Sequence, residues 1–538
     1  MRGGMRAAVA GLSFAMAGVI VHSAAQAPSS PPSTALQLRQ VAYLKASNTD
    51  AGDHFGCGGV LDGHAGYGVA LSGDGNTLAV AAPHEGSNAT GINGNQNDNS
   101  VYDSGAVYVF IRNGANWVQQ AYVKPSNTQD GAEFGHAVVL SADGNTMVVS
   151  AFGEASRATG INGDQADRSI PQAGAVYVFT RRGTTWTQQA YIKASNTGEA
   201  GTADTFGDGD QFGVSVSISD DGNTIAVGAL TEDSRSAGIN GNQADNTATS
   251  AGAVYLFTRT GNTWAQQAYI KASNPDPGDM FGYSMSLSAN GDTLAVGSYD
   301  EGGSSRGINE PPDNMRRGAG AVYVFTRTGT AWTQEAYIHT SNAEAGDSFG
   351  VNVALSDDGN TLLAGSLDED CTATGVNAAA CDNDREADIS TGAAYVFVRA
   401  GTTWSQQAYF KSSNTGANDW FGSRLALSGD GNTAAMGASL EDSAGQGING
   451  KQNDDSASES GAVYFFTRTG STWSQQAYVK GARTEAYDEF GGSVALSRDG
   501  RTLAASAHAE DSASRGPGGD QADNKTAEAG AVYVFAYN

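Results

Sequence analysis

Positive charge is what this sequence has least of. Thirty Lys and Arg face 57 Asp and Glu, a net charge of −27. Nucleic acid and anionic membrane surfaces are therefore poor partners, and cations are better ones. Charge of either sign is thin, 16% of residues against the usual quarter. Asn, Ser, Thr and Gly cover the surface instead. Cysteine is nearly absent, and three scattered residues do not support a metal site. Beyond residue 21 no apolar run is long enough to span a membrane. Nowhere in the third of the chain's repeated units, read in full below, do the segments between apolar runs hold a helical period.

What is present is repetition. Gly-Ala-Val-Tyr-Val-Phe, with small variations, stands at Gly105, Gly174, Gly252, Gly320, Gly392, Gly461 and Gly530, at spacings of 68 to 78 residues. Each copy carries four short apolar runs. In the third copy they are Phe212 to Ile218, Thr224 to Gly228, Gly252 to Phe257, and Trp264 to Lys271. They are rich in Val, Tyr, Phe and Thr and bounded by Gly, Asn and Asp, so they read as strands. The third run is apolar on both faces: Ala106, Tyr108 and Phe110 point one way, Val107, Val109 and Ile111 the other. Such a strand needs a sheet packed on each side. Asp-Gly at Asp74, Asp143, Asp221, Asp358, Asp430 and Asp499, and Asn290-Gly291, mark a tight hairpin between the first two strands. Length alone suggests several domains, but the repeats predict one: an all-β, seven-bladed β-propeller of four-stranded antiparallel blades over residues 36–538.

The seventh copy ends after its third strand. Its fourth is expected at the other end of the chain, where Gln40-Val41-Ala42-Tyr43-Leu44-Lys45 matches the interior Gln-Gln-Ala-Tyr-Val-Lys. The N-terminal strand then completes the last blade and closes the ring, removing an unpaired edge. Leu38 stands where the other copies have Trp117, Trp186, Trp264, Trp332, Trp404 and Trp473. Those Trp and the nearby Tyr are read as blade packing rather than sugar stacking. A ring closed in this way is expected to be monomeric.

Residues 1–25 read as a secretory signal: Arg2 and Arg6, an apolar run from Ala7 to Val21, then Ser23-Ala24-Ala25. Residues 26–35 read as a Pro/Ser-rich linker. The protein is expected to be exported, to the periplasm, cell surface or medium. In that setting Cys371 and Cys381, ten positions apart in one loop, are expected to form a disulfide. Cys57 is left over.

Phe-Gly at Phe55, Phe134, Phe212, Phe281, Phe349, Phe421 and Phe490, followed by Ala-Val-Gly-Ala at Ala226 to Ala229, resembles the FG-GAP repeat. That repeat builds the seven-bladed N-terminal propeller of integrin α chains and of many exported bacterial proteins. The resemblance implies an extracellular propeller for adhesion or ligand binding. The integrin calcium loop does not carry over, because Val139 to Met147 keeps only Asp143 and Gly144 of it.

In a propeller the loop between strands two and three and the loop between blades emerge on one face. Here both are long, and that face is the expected site. Its loops are acidic. An Asp precedes Phe-Gly at Asp53, Asp210, Asp279, Asp347, Asp419 and Asp488, with Glu133 in the second copy. Glu232-Asp233, Glu441-Asp442 and Glu510-Asp511 open the long loop, and Asp245, Asp454 and Asp523 follow in the Gly-Ile-Asn-Gly-Asn-Gln-Ala-Asp-Asn stretch or its echoes. These acids are candidate calcium ligands. They are equally turn formers that bond their own backbone, and without strict ligand spacing the solvated-loop reading is preferred.

The seven His fall at unrelated repeat positions, and nothing marks a Ser-His-Asp or paired-carboxylate site. The chain is therefore read as a binding module for a protein or glycan, with no catalytic residues. A hydrolase or lyase with acids at the channel mouth is the alternative, and a purely structural surface protein is a third reading. Only the first-copy insertion, with His54, Cys57 and His64, and the fifth-copy Cys loop break the repetition.

Overall fold

The computed structural model describes residues 37–58, 60–61, 64–65, 67–198, 209–378 and 389–537. The expected signal and linker lie outside them. Each repeat folds as four antiparallel strands. In the third blade these are Phe212–Ile218, Thr224–Ala229, Ala253–Thr260 and Thr263–Ile270, paired in that order. The Ser-x-Asp-Gly turn is a small hydrogen-bonded unit. Ser219 Oγ donates to Asp221 Oδ1 at 2.6 Å and accepts the Thr224 amide at 2.9 Å. The Asn223 amide donates to Asp221 Oδ1. This explains why Ser stands two positions before the Asp in six copies and before Asn290 in the fourth.

Seven apolar cores lie between the blades. Val107 and Val109 pack toward the second blade with Phe134, Tyr177 and Phe179. Tyr108 and Phe110, on the other face of the same strand, pack toward the seventh with Val532 and Val534. Each such side chain contributes about 1.5–3 kcal/mol by leaving water. The two repeated phrases also touch. Gly252 has φ +76°, and a Cβ there would sit 2.2 Å from the Phe281 carbonyl oxygen of the next blade. Only glycine allows that approach.

A polar latch joins neighbouring blades at their rims. Gln120 Oε1 accepts from Trp186 Nε1 at 3.0 Å and from Arg181 Nη1 at 3.3 Å, while the Arg181 guanidinium lies 5.2 Å over the Trp186 ring. Gln189, Gln267, Glu335 and Gln407 repeat the arrangement. These tryptophans are structural.

Leu38–Leu44 pairs antiparallel with Ala531–Tyr537, so the fourth strand of the last blade comes from the N-terminus. The inner strand Phe490–Leu496 of that blade touches Val69–Leu71 of the first. The ring is closed as expected. Cys57 is free and buried. Cys371 is disulfide-bonded, and Cys381, its expected partner, lies outside the described residues. No helix among them is long and apolar enough to cross a membrane.

Candidate functional site

The acidic long-loop residues are tied down by the fold. Glu232 Oε2 is 2.8 Å from Lys271 Nζ, which is fully buried just past the outer strand of the same blade. Glu232 also accepts from the Ser234 amide, Asn196 Nδ2 and Tyr269 Oη. Glu441 pairs with Lys480 and Glu510 with Lys45, both at 2.8 Å. Glu85, Glu154 and Glu369 pair with Lys124, Lys193 and Lys411 in the same way. The fourth blade has His339 beside Glu301 instead, at 3.6 Å. There burial raises the Glu301 carboxyl and lowers His339 to about 4.

The second acid of each pair holds backbone. Asp233, Asp442 and Asp511 accept the amides of Ser250, Glu459 and Glu528, each at 2.8 Å. The Asp two positions before the Phe of Phe-Gly turns back on its own loop: Asp279, Asp347, Asp419 and Asp488 accept the amides of Asp276, Glu344, Gly416 and Glu485. Asp245 binds the Thr247 hydroxyl, Asp454 the Ser456 hydroxyl and Asp523 the Lys525 ammonium. Asp210, Glu232 and Asp233 do come together around a cavity of about 170 Å³. Among the described residues no group of three or more His, Cys, Asp or Glu is gathered so as to hold a metal ion.

Burial, with the adjacent acids adding, pushes Asp279 and Asp347 up to about 8 and Asp419 and Asp488 to about 7. Asp210 is raised for the same reasons. A carboxyl with a raised folded pKa stabilises fully below its unfolded value and loses that contribution as pH climbs through the folded one. His339, lowered by burial, acts in the opposite sense, but only between about 4 and 6.5. The five acids outnumber His339 and His54, so stability should fall from about pH 4 to about pH 8 and level off above, by up to about 1.4 kcal/mol per pH unit for each acid that a histidine does not offset. Thermal melts across that range check this. Asp347→Asn, neutral at every pH, should flatten part of the slope.

The two ends of the central channel differ. On the tight-turn face a circle of backbone hydrogen bonds runs once around the ring. The amides of Gly73, Ala142, Asp220, Ala289, Asp357, Gly429 and Arg498 each donate to the carbonyl of the next residue in that series, and Arg498 returns to Gly73, all at 2.8–3.0 Å. The Arg498 guanidinium crosses the channel to Asp220 and Asp357. That end is closed.

The long-loop end is rimmed by the residue before each Phe-Gly: His54, Glu133, Gln211, Met280, Ser348, Trp420 and Glu489. All seven are left-handed, with φ between 49° and 58°. Each donates its amide to the carbonyl two positions before the Gly-Ala phrase of the preceding blade, as His54 does to Glu528 and Glu489 to Glu459. Non-glycine residues in this region are strained and persist where the fold over-determines them. The backbone is repeated seven times, yet no two neighbouring side chains around the rim are alike.

The variation is organised. On one arc Met280 packs with Val214, Leu230, Tyr283 and Tyr299 in an apolar cluster. On the other arc, over blades six, seven and one, lies a cavity of about 370 Å³ lined by His54, His84, His508, Glu489, Arg424 and Trp420, among others. His508 Nε2 is 3.1 Å from Glu489 Oε2, and His84 Nδ1 is 2.9 Å from Asp103 Oδ1. Burial and the two neighbouring imidazoles hold His54 near 4. Burial works to raise Glu489, but the His508 hydrogen bond and charge keep it below its ordinary value. Arg424 Nε donates to the Gly492 carbonyl at 3.0 Å.

Residues 264–325 and 332–397 match the FG-GAP repeat. The chain carries FG-GAP repeats. No curated protein matches it. Among solved structures it is similar to a putative 6-phosphogluconolactonase from Bacteroides uniformis (10% identity, 77% of this chain and 85% of the other, TM-score 0.44). It is similar also to the periplasmic gluconolactonase PpgL of Pseudomonas aeruginosa (13% identity, 84% and 98%, TM-score 0.44), and to the RRP9 WD40 repeats (7% identity, 92% and 100%, TM-score 0.44). Likenesses this distant say nothing of function.

In this propeller the histidines were the missed signal. His54, His84 and His508 occupy three different repeat positions, so nothing in the alignment of copies links them. They meet because loops from blades one and seven converge at the axis. The side chain of His64 lies outside the described ones.

Proposed function

We propose that this FG-GAP propeller is an exported binding module that seats its ligand, the end of a glycan, at the open mouth of its channel. The observation that carries this reading is the rim, where a strained, repeated backbone presents side chains of six kinds at seven positions beside a cavity of about 370 Å³. Binding sites commonly combine such concavity with a few convergent polar groups. Trp420 supplies an aromatic ring, and Arg424, Glu489 and the histidines supply donors and acceptors. Three of the four large exposed hydrophobics among the described residues, Tyr102, Met315 and Tyr487, also lie in long-loop-face segments, which suits a face that meets other molecules.

A glycan array probed with the mature protein tests the reading. Binding to a defined sugar end is expected, weakened at least about tenfold by Trp420→Ala, the scale of one lost stacking contact. Binding unchanged in that variant places the site elsewhere. Capture of protein but no sugar replaces the ligand class. The second reading, a hydrolase or lyase, is favoured by the His508–Glu489 pair, which leaves the other imidazole nitrogen as a base beside the cavity. Recovery of the bound glycan intact argues for binding, and recovery of cleaved product for the enzyme.

A further inference from the structure

One residue breaks the pattern of the inner strands. Four positions before the Ser of each hairpin turn stand Gly68, Ala137, Ser215, Ser284, Asn352 and Ser493, but the sixth blade has Arg424 there. The small residues suit a crowded wall. Ser215 and Ser284 donate to the Gly282 and Gly350 carbonyls of the next blade, at 2.6 and 2.7 Å. Arg424 Nε keeps that contact, to the Gly492 carbonyl, and Nη1 donates to the Ser423 carbonyl at 2.6 Å. The same side chain lines the cavity at the channel mouth. It is only 7% exposed, and no carboxylate of the described residues forms an ion pair with it. Glu489, on the same cavity, is engaged by His508. A guanidinium stays charged at every working pH, and a charge taken out of water is normally paired.

A second buried group faces the same place. His508 is also 7% exposed, and its Nδ1 has no hydrogen-bond partner among the described residues. Its Nε2 proton goes to Glu489, so in the neutral ring Nδ1 is an acceptor. Gly492 joins the two groups: its carbonyl takes Arg424 Nε, and a Cβ on it would lie 2.6 Å from His508 Nδ1. A cation without an anion thus stands beside an acceptor without a donor. We infer that the glycan end seated here is a uronic acid, with its carboxylate on Arg424 and a ring hydroxyl on His508 Nδ1. The planar fork of a guanidinium matches the two oxygens of a carboxylate, and Trp420 lines the same cavity for the sugar ring. The inference rests on the mouth being the glycan site.

Oligosaccharide pairs that differ only at the end test it: glucuronic acid against glucose, and galacturonic acid against galactose. In calorimetric titrations of the mature protein, the acidic member of at least one pair should bind at least about tenfold more tightly, the scale of one charge-assisted contact. Arg424→Gln should erase that preference. Arg424→Lys, which keeps the charge and loses the fork, should retain part of it. Melting curves check that both variants are folded, and the wild-type preference is decisive even if neither is. Acidic and neutral ends bound alike, a sulfated glucose end preferred to the acid, or a preference unchanged in folded Arg424→Gln overturns the inference. Neutral ends held in a Trp420-dependent way, with no gain from the acid, sink the carboxylate and leave the glycan site standing. A melting shift with free glucuronate that Arg424→Gln abolishes, with no oligosaccharide bound, keeps the carboxylate site and sinks the glycan reading. No response to any of these probes at millimolar concentration overturns both.

Discussion

A chain without residues 38–45 will fail to form the closed ring. The deletion removes the partner of Ala531–Tyr537 and opens that strand's edge. It takes Leu44 and Tyr43 out of two separate cores, at about 1.5–3 kcal/mol each. It also strips Glu510 of Lys45 and of the Tyr43 hydroxyl. A buried charge left alone costs about 3–5 kcal/mol. Together these losses reach the whole stability of an ordinary domain, about 5–15 kcal/mol. The truncated protein is expected to be insoluble or to lose its cooperative melt. The control is a permuted chain in which residues 38–48 follow residue 537, which should regain the parental transition. A simple deletion that melts like the parent would show that the N-terminal strand is decoration.

How much of this could be read beforehand follows from what repeats. Four strands per copy, seven copies and the displaced last strand are written in phrases such as Ala-Val-Tyr-Val-Phe, because a strand apolar on both faces admits only a sheet between sheets. The circle of backbone hydrogen bonds from Gly73 to Arg498 was hidden, since its members share a position and no side-chain chemistry. The rim was hidden for the opposite reason. Its seven residues run from His54 to Glu489 through Met280 and Trp420, and left-handed backbone usually advertises itself as Gly or Asn. The acidic loops were visible, but their cations were not sought in the right place. Where Lys and Glu share a copy the Lys lies 39 to 42 residues beyond its Glu, as Lys271 does from Glu232, while Lys45 comes 465 residues before Glu510, and each reads as the polar end of an outer strand.

Those lysines lead to the second large effect. Lys271→Met should destabilise the ring by about 3–5 kcal/mol, because it leaves the Glu232 carboxylate buried and unpaired. The side chain is fully buried and burial already lowers its pKa, so no solvent cation replaces it cheaply. Adding Glu232→Gln should recover much of the loss. Glutamine keeps an acceptor for the Ser234 amide, and its NH2 can donate to the Tyr269 hydroxyl oxygen where Glu232 accepted from it, while the bare charge is gone. Chemical denaturation of the three variants measures this. Recovery that fails would mean that Lys271 acts through packing of its alkyl stem. The same experiment bears on calcium. If an internal ammonium does in six blades what a bound ion does in a calcium-ordered loop, millimolar calcium and chelator should leave the wild-type midpoint unchanged. A ligand of the folded state alone must raise that midpoint, so a clear upward shift with calcium would return the long loops to the class of cation sites.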